Sequence, residues 1–122
     1  MLQFCQTFYV LYAIIKAKTP RKGSLMIKLL ALDMDGTLLN EAKEIPQAHI
    51  TAIHQAIERG IKLVLCTGRP LFGVLPYYKK LGLDLQNEYV IVNNGCSTHQ
   101  TSDWSLVDWQ ELSPADIEYL YD

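Results

Sequence analysis

The sequence predicts an α/β fold built on a parallel sheet, and three observations carry that expectation. Leu29-Leu30-Ala31-Leu32 is an apolar run without alternation, which reads as a strand buried on both faces and central in the sheet. Ile61-Lys62-Leu63-Val64-Leu65-Cys66 and Tyr89-Val90-Ile91-Val92 are two more runs of strand length. The stretches between them have helical character, so strand and helix alternate as in right-handed βαβ units.

The bulk properties bound the class. The chain of 122 residues holds one domain or part of one, and 49% hydrophobic with 20% charged residues is the composition of a foldable globular protein. A net charge of −2 offers no basic field to a nucleic acid. Residues 1–25 differ from the rest, carrying +4 and no acid, against −6 for the remainder. Their apolar run Phe8 to Ile15 is too short to span a bilayer, which takes about 20 residues. Its charges follow the run, the reverse of a secretion signal. The segment reads as a translated leader ahead of a native start at Met26, or as an amphipathic helix packed on the domain. Cys5, Cys66 and Cys96 are odd in number and lack metal-site spacing, which suits a reducing, cytoplasmic setting.

In chain order, the first strand gives way to a polar loop from Asn40 to Lys43. Pro46 suits a first helical turn, and Ile50, Ile53 and Ile57 then share one face up to Gly60, a left-handed cap. His49 and His54 have no acid or cysteine at ligand spacing and read as surface residues. A second helix runs over roughly 73–81, with Pro76 in its first turn or kinking it, and Gly82 closes it. After the third strand, apolar residues around Trp104 to Trp109 flank a polar segment at 101–103, suggesting a hairpin or extended arm. Ser113-Pro114-Ala115-Asp116 is a capping-box-like helix start, followed by an apolar face of Ile117, Leu120 and Tyr121.

The chemistry sits at the strand ends. The first strand runs into Asp33-Met34-Asp35-Gly36-Thr37, placing two carboxylates where open α/β sheets keep their sites. An Asp-Gly turn closing an ordinary strand would look alike over these residues alone. The second strand ends in Thr67-Gly68-Arg69-Pro70, offering a hydroxyl, close backbone approach at Gly68 and a planar cation suited to phosphate. One crossover apart, the two together are specific. They resemble the first two motifs of the haloacid dehalogenase (HAD) phosphohydrolases, and the run from Met26 to Asn93-Asn94-Gly95 resembles the Cof-type branch, nearest its sugar-phosphatase members. Cys96 stands where those relatives carry a small residue and reads as a packing substitution, not a nucleophile.

The resemblance implies a Rossmann-like HAD core, three-layered around a parallel sheet. It places the first half of that core at residues 26–95, and a linker with the start of an inserted α+β cap at 96–122. It implies a Mg²⁺-dependent phosphatase of small phosphorylated metabolites such as sugar phosphates. Asp33 would be the nucleophile that becomes aspartyl-phosphate, and Asp35 the general acid and base. Asp33, and Asp35 through its backbone carbonyl, would hold the metal, while Gly36, Thr37, Thr67, Gly68, Arg69 and Asn94 would contact substrate or phosphate. Two further family motifs, a lysine and a Gly-Asp acidic cluster, find no match, and no Lys or Arg follows Gly95. The chain therefore resembles a truncated, weakly active or inactive phosphatase. A non-enzymatic fragment, or another HAD phosphotransferase such as a phosphomannomutase or a sucrose- or trehalose-phosphate phosphatase, fits the same motifs. In the family the first strand pairs on both sides. Here one side would be a free edge that favours self-association.

Overall fold

The structure, a computed structural model, describes residues 27–83 and 87–121. The expectations for residues 1–25 and for a start at Met26 lie outside them. The described chain runs β1 (Leu29–Asp33), α1 (Gln47–Glu58), β2 (Lys62–Cys66), α2 (Leu71–Leu81), β3 (Tyr89–Val92), a 3₁₀ turn (Asn93–Gly95), β4 (Ser97–Gln100), β5 (Leu106–Trp109) and α3 (Pro114–Tyr121). One five-stranded sheet has the order β1-β2-β3-β4-β5. β1, β2 and β3 are parallel, in a register pairing Leu30 with Leu63, Leu32 with Leu65 and Leu65 with Val90. β4 and β5 continue the sheet antiparallel, as a hairpin.

That register puts Leu32, Leu63, Leu65, Val90 and Val92 on one face, where they meet Ile53 of α1 and Val74, Tyr78 and Leu81 of α2 in one buried core. Each such side chain contributes about 1.5–3 kcal/mol by leaving water. Tyr78 lies edge-on to Trp104, centroids 5.1 Å apart, tying the hairpin turn to α2. Both helices thus cover the same face of the parallel strands. Leu29, Ala31 and Tyr89 are exposed on the opposite face.

Helix boundaries follow local chemistry. Pro46 is the N-cap of α1, and beyond its C-cap Arg59 the chain turns at Gly60, with φ +78°. Pro70 opens α2 at Leu71, two residues earlier than expected, so Pro76 lies inside the helix and deprives Phe72 of its usual donor. Gly82, at φ +69°, closes it. α3 has its capping box: Ser113 Oγ accepts from Asp116 N–H, and Ser113 N–H donates to Asp116 Oδ2.

Three expectations need correction. β1 is not buried on both faces: both helices lie on the Leu32 side, so Leu29 and Ala31 on the other side face solvent, and among the described residues β1 pairs only with β2, so its far edge is free. His49 is not a surface residue. It is buried against the main chain of Leu38, because it lies on the flank of α1 that faces the loop after β1. Cys96 does not pack; it is exposed in the turn between β3 and β4. No helix among the described residues is long and apolar enough to cross a membrane.

Candidate active site

The carboxyl ends of β1, β2 and β3 lie side by side, and three loops leave the sheet there. The first is residues 33–39. Its apolar members Met34, Leu38 and Leu39 are fully buried and act as anchors. Leu38 N–H donates to Asp33 O (3.1 Å) and Leu39 N–H to Met34 O (2.9 Å), folding the loop back on itself. The polar members Asp33, Asp35, Gly36 and Thr37 remain at or near the surface. Gly36 has φ +77°, which would cost another residue about 1–2 kcal/mol. His49 Nδ1 bonds Leu38 O at 2.9 Å, which buttresses this loop from below. Burial lowers the His49 pKa, so the neutral ring donates from Nδ1.

The two acids differ sharply in their surroundings. Asp33 Oδ1 accepts only from the adjacent Met34 N–H (2.8 Å), and no described cation is paired with it. Asp35 carries two cations. Arg69 grips it with Nε on Oδ2 (2.8 Å) and Nη2 on Oδ1 (2.9 Å), and Lys43 Nζ reaches Oδ1 at 2.8 Å. The Arg69 hydrogen bonds, then that of Lys43, hold the Asp35 carboxyl well below the usual range; Asp35 in turn raises Arg69. The side chain of Asp35 is 39% exposed, so each pair contributes no more than about 1 kcal/mol to stability.

Lys43 and Arg69 are joined a second way. The Tyr77 ring lies under the Arg69 guanidinium, 5.1 Å from Cζ, and its hydroxyl donates to Lys43 O at 2.9 Å. Lys43 sits at φ +59° in a short loop closed by Lys43 N–H to Asn40 O, Asn40 N–H to Glu44 O, and Glu44 N–H to Asn40 Oδ1. Neither Lys43 nor Tyr77 stood out in the sequence: one lies in a polar loop, and the other within the second helix.

The second and third loops interlock. Thr67 Oγ1 accepts the Arg69 N–H (3.1 Å), which leaves its own hydroxyl hydrogen for a ligand. Asn94 N–H donates to Thr67 O (3.2 Å) and Asn93 N–H to Arg69 O (3.0 Å), with both asparagines left-handed at φ +56° and +53°. The Asn94 amide lies over Gly68 so closely that a Cβ there would stand 2.6 Å from Oδ1. Asp35 and Arg69 are therefore in contact, as are Thr67, Gly68 and Asn94. No described hydrogen bond joins the Asp33 carboxylate or the Thr37 hydroxyl to Thr67 or Asn94. Asp33 is cross-strand from Cys66, whose thiol is pushed up by burial and by that charge, and so is a poor nucleophile.

For a hard divalent cation, Asp33 offers a carboxylate that no described cation pairs with, and Asp35 a backbone carbonyl while its side chain is taken by cations. The donors fit in kind. Among the described residues no group of three or more His, Cys, Asp or Glu surrounds such an ion.

Known proteins resemble this chain in sequence and in fold. The YxeH protein of Bacillus subtilis (strain 168), provisionally named a phosphatase, is 43% identical over 97 residues, which are 80% of this chain and 36% of that protein. The phosphatase YcsE of the same organism, named for 5-amino-6-(5-phospho-D-ribitylamino)uracil, is 35% identical over 96 residues, covering 79% of this chain and 37% of its own. A crystal structure of a haloacid dehalogenase-like hydrolase from Bacteroides thetaiotaomicron superposes with a TM-score of 0.67 at 30% identity, over 78% of this chain and 36% of that one. The chain thus spans little more than a third of the length of these relatives. The family model that describes haloacid dehalogenase-like hydrolases matches residues 30–122, taking in both acids of the first loop and the Thr67–Arg69 loop. This chain belongs to that family.

Proposed function

We propose that this chain carries the reaction centre of a phosphate monoester hydrolase acting on a small phosphorylated metabolite, with Asp33 as nucleophile. One observation supports it above the rest: of two acids two residues apart, Asp33 is free of cations and Asp35 is fixed by two. A nucleophile needs uncommitted lone pairs; the two cations instead keep Asp35 ionised, so it carries a proton only once substrate has drawn them off it. Asp33 Oδ attacks phosphorus and the bond to the leaving alkoxide breaks, with Asp35, parted from its cations and protonated from solvent beforehand, supplying the alkoxide's proton. Water then attacks the aspartyl-phosphate, Asp35 takes its proton, the bond from phosphorus to Asp33 breaks, and phosphate leaves. Thr67 and the backbone around Gly68 supply donors to the phosphoryl oxygens, with Gly36, Thr37, Arg69 and Asn94 around them. A bound Mg²⁺, held by Asp33 and the Asp35 carbonyl, would offset the repulsion between carboxylate and phosphate dianion.

YcsE's name specifies a phosphorylated ribityl compound, in keeping with a small phosphorylated substrate, including sugar phosphates. Residues 26–95 serve as core and 96–122 as entry to a cap. The free thiols of Cys66 and Cys96 suit a reducing cytoplasm. The test is hydrolysis of p-nitrophenyl phosphate with and without Mg²⁺. Asp33→Asn should abolish any metal-dependent turnover, and Asp35→Asn should slow it about 10²–10⁴-fold. Equal turnover in purified Asp33→Asn protein would refute the assignment.

A further inference from the structure

We propose that Lys43, Arg69 and Tyr77 form a second anion subsite beside the phosphoryl site, selecting phosphorylated metabolites that bear a further anionic group such as a carboxylate. The inference rests on the phosphatase reading and names the substrate class it takes.

Asp35 occupies one edge of the Arg69 guanidinium, the Nε and Nη2 side, and the Nη1 edge, beside Tyr77, is not taken by Asp35. Lys43 Nζ spends one of its three N–H groups on Asp35, and its side chain is 58% exposed. Two cations thus converge on a single carboxylate, leaving one net positive charge over the three groups and N–H groups on both cations that Asp35 does not take. Fixing Asp35 would need only the bidentate arginine; the lysine is surplus to that task.

The framework around these donors is built rather than incidental. Lys43 holds a left-handed backbone that only a few non-glycine residues adopt, and such strain persists where surrounding bonds enforce it. Here Asn40 and Glu44 close the loop, and Tyr77 ties its carbonyl down. The same Tyr77 ring supports Arg69. One side chain of α2 therefore sets the position of both cations, an arrangement preorganised for an anion of fixed size.

The test uses non-hydrolysable matched pairs. Phosphonoacetate, 3-phosphonopropionate and 4-phosphonobutyrate are compared with alkylphosphonates in which methyl replaces carboxylate, by NMR titration of the full chain with Mg²⁺ present. For at least one chain length the carboxylate should bind about tenfold tighter than its methyl partner. Lys43→Met should bring that preference to about one, Lys43→Arg should keep it, and Tyr77→Phe should reduce it. Equal affinity within every pair, or a preference untouched by Lys43→Met, would overturn the subsite alone. Failure of all phosphonates to bind would overturn the subsite together with the phosphatase reading.

Discussion

Gly68→Ala probes how tightly the second and third loops of the site interlock. Gly68 does not have a left-handed φ, so alanine is compatible with its backbone and the test isolates a contact. The new Cβ would stand 2.6 Å from Asn94 Oδ1, inside the 3.0 Å that real Cβ atoms respect. Asn94 cannot simply withdraw, because its N–H is bonded to Thr67 O and its φ is already +56°. Turning its amide off a rotamer costs about 0.5–1.5 kcal/mol, and overpacking in general about 1–3 kcal/mol. The stiffer unfolded chain returns about 0.4–1 kcal/mol. The net expectation is a loss of about 1–2 kcal/mol, or about 5–10 °C in Tm for a domain of this size. Asn94→Gly removes the obstructing amide and suits the left-handed backbone, so Gly68→Ala in that background should be close to neutral. Urea unfolding of the four proteins of this double-mutant cycle would give a coupling of about 1–2 kcal/mol. An equal cost of Gly68→Ala in both backgrounds would show that the Asn94 amide does not obstruct a side chain at position 68.

His49 is held neutral, its pKa lowered by burial, so the unfolded chain binds the extra proton. Its contribution is complete above its unfolded pKa of about 6.5 and is lost as pH falls below that value. Urea midpoints should fall between about pH 7 and 5 in the wild type and stay flatter in His49→Asn; parallel curves would exclude His49 as the cause. Asp35, also lowered, contributes stability above about pH 3.9 that disappears on further acidification, by no more than about 1 kcal/mol at this exposure. Arg69→Gln should shrink that acid loss, measured by circular dichroism. The edge of β1 that no described strand covers, beside exposed Leu29, should drive self-association in sedimentation equilibrium, weakened by Leu29→Lys. A monodisperse wild-type monomer would exclude it.

The strands and helices were legible because their signals are local. Tyr89–Val92 coincides with the expected third strand, and Gly60 and Gly82 turn left-handed as helix-ending glycines do. The hairpin after Gly95 was readable from its polar turn, but its first strand, Ser97–Gln100, has no apolar pattern and forms by pairing with β3. The unbroken apolar run at Leu29–Leu32 reports the residues' chemistry but not which neighbours cover them. Among the described residues only one face and one edge are covered, so the pattern reads as more buried than it is. At the site, the DxDGT and TGR stretches marked where the loops are. The pairing of Asp35 with Lys43 and Arg69 depends on side chains meeting across two loops and a helix, and no spacing rule encodes that. His49 was missed for a related reason. Its partner is a backbone carbonyl, which any residue at position 38 would present.

On the proposed mechanism Asp33 and no other residue receives the phosphoryl group. Borohydride reduces an acyl phosphate to the alcohol, so a phosphorylated aspartate is converted to homoserine and can be located by peptide mass mapping. The chain incubated with acetyl phosphate and Mg²⁺ should show homoserine at position 33, absent without the phosphate donor and absent from Asp33→Asn. Homoserine at position 35 or elsewhere, or none under any condition, would contradict the account.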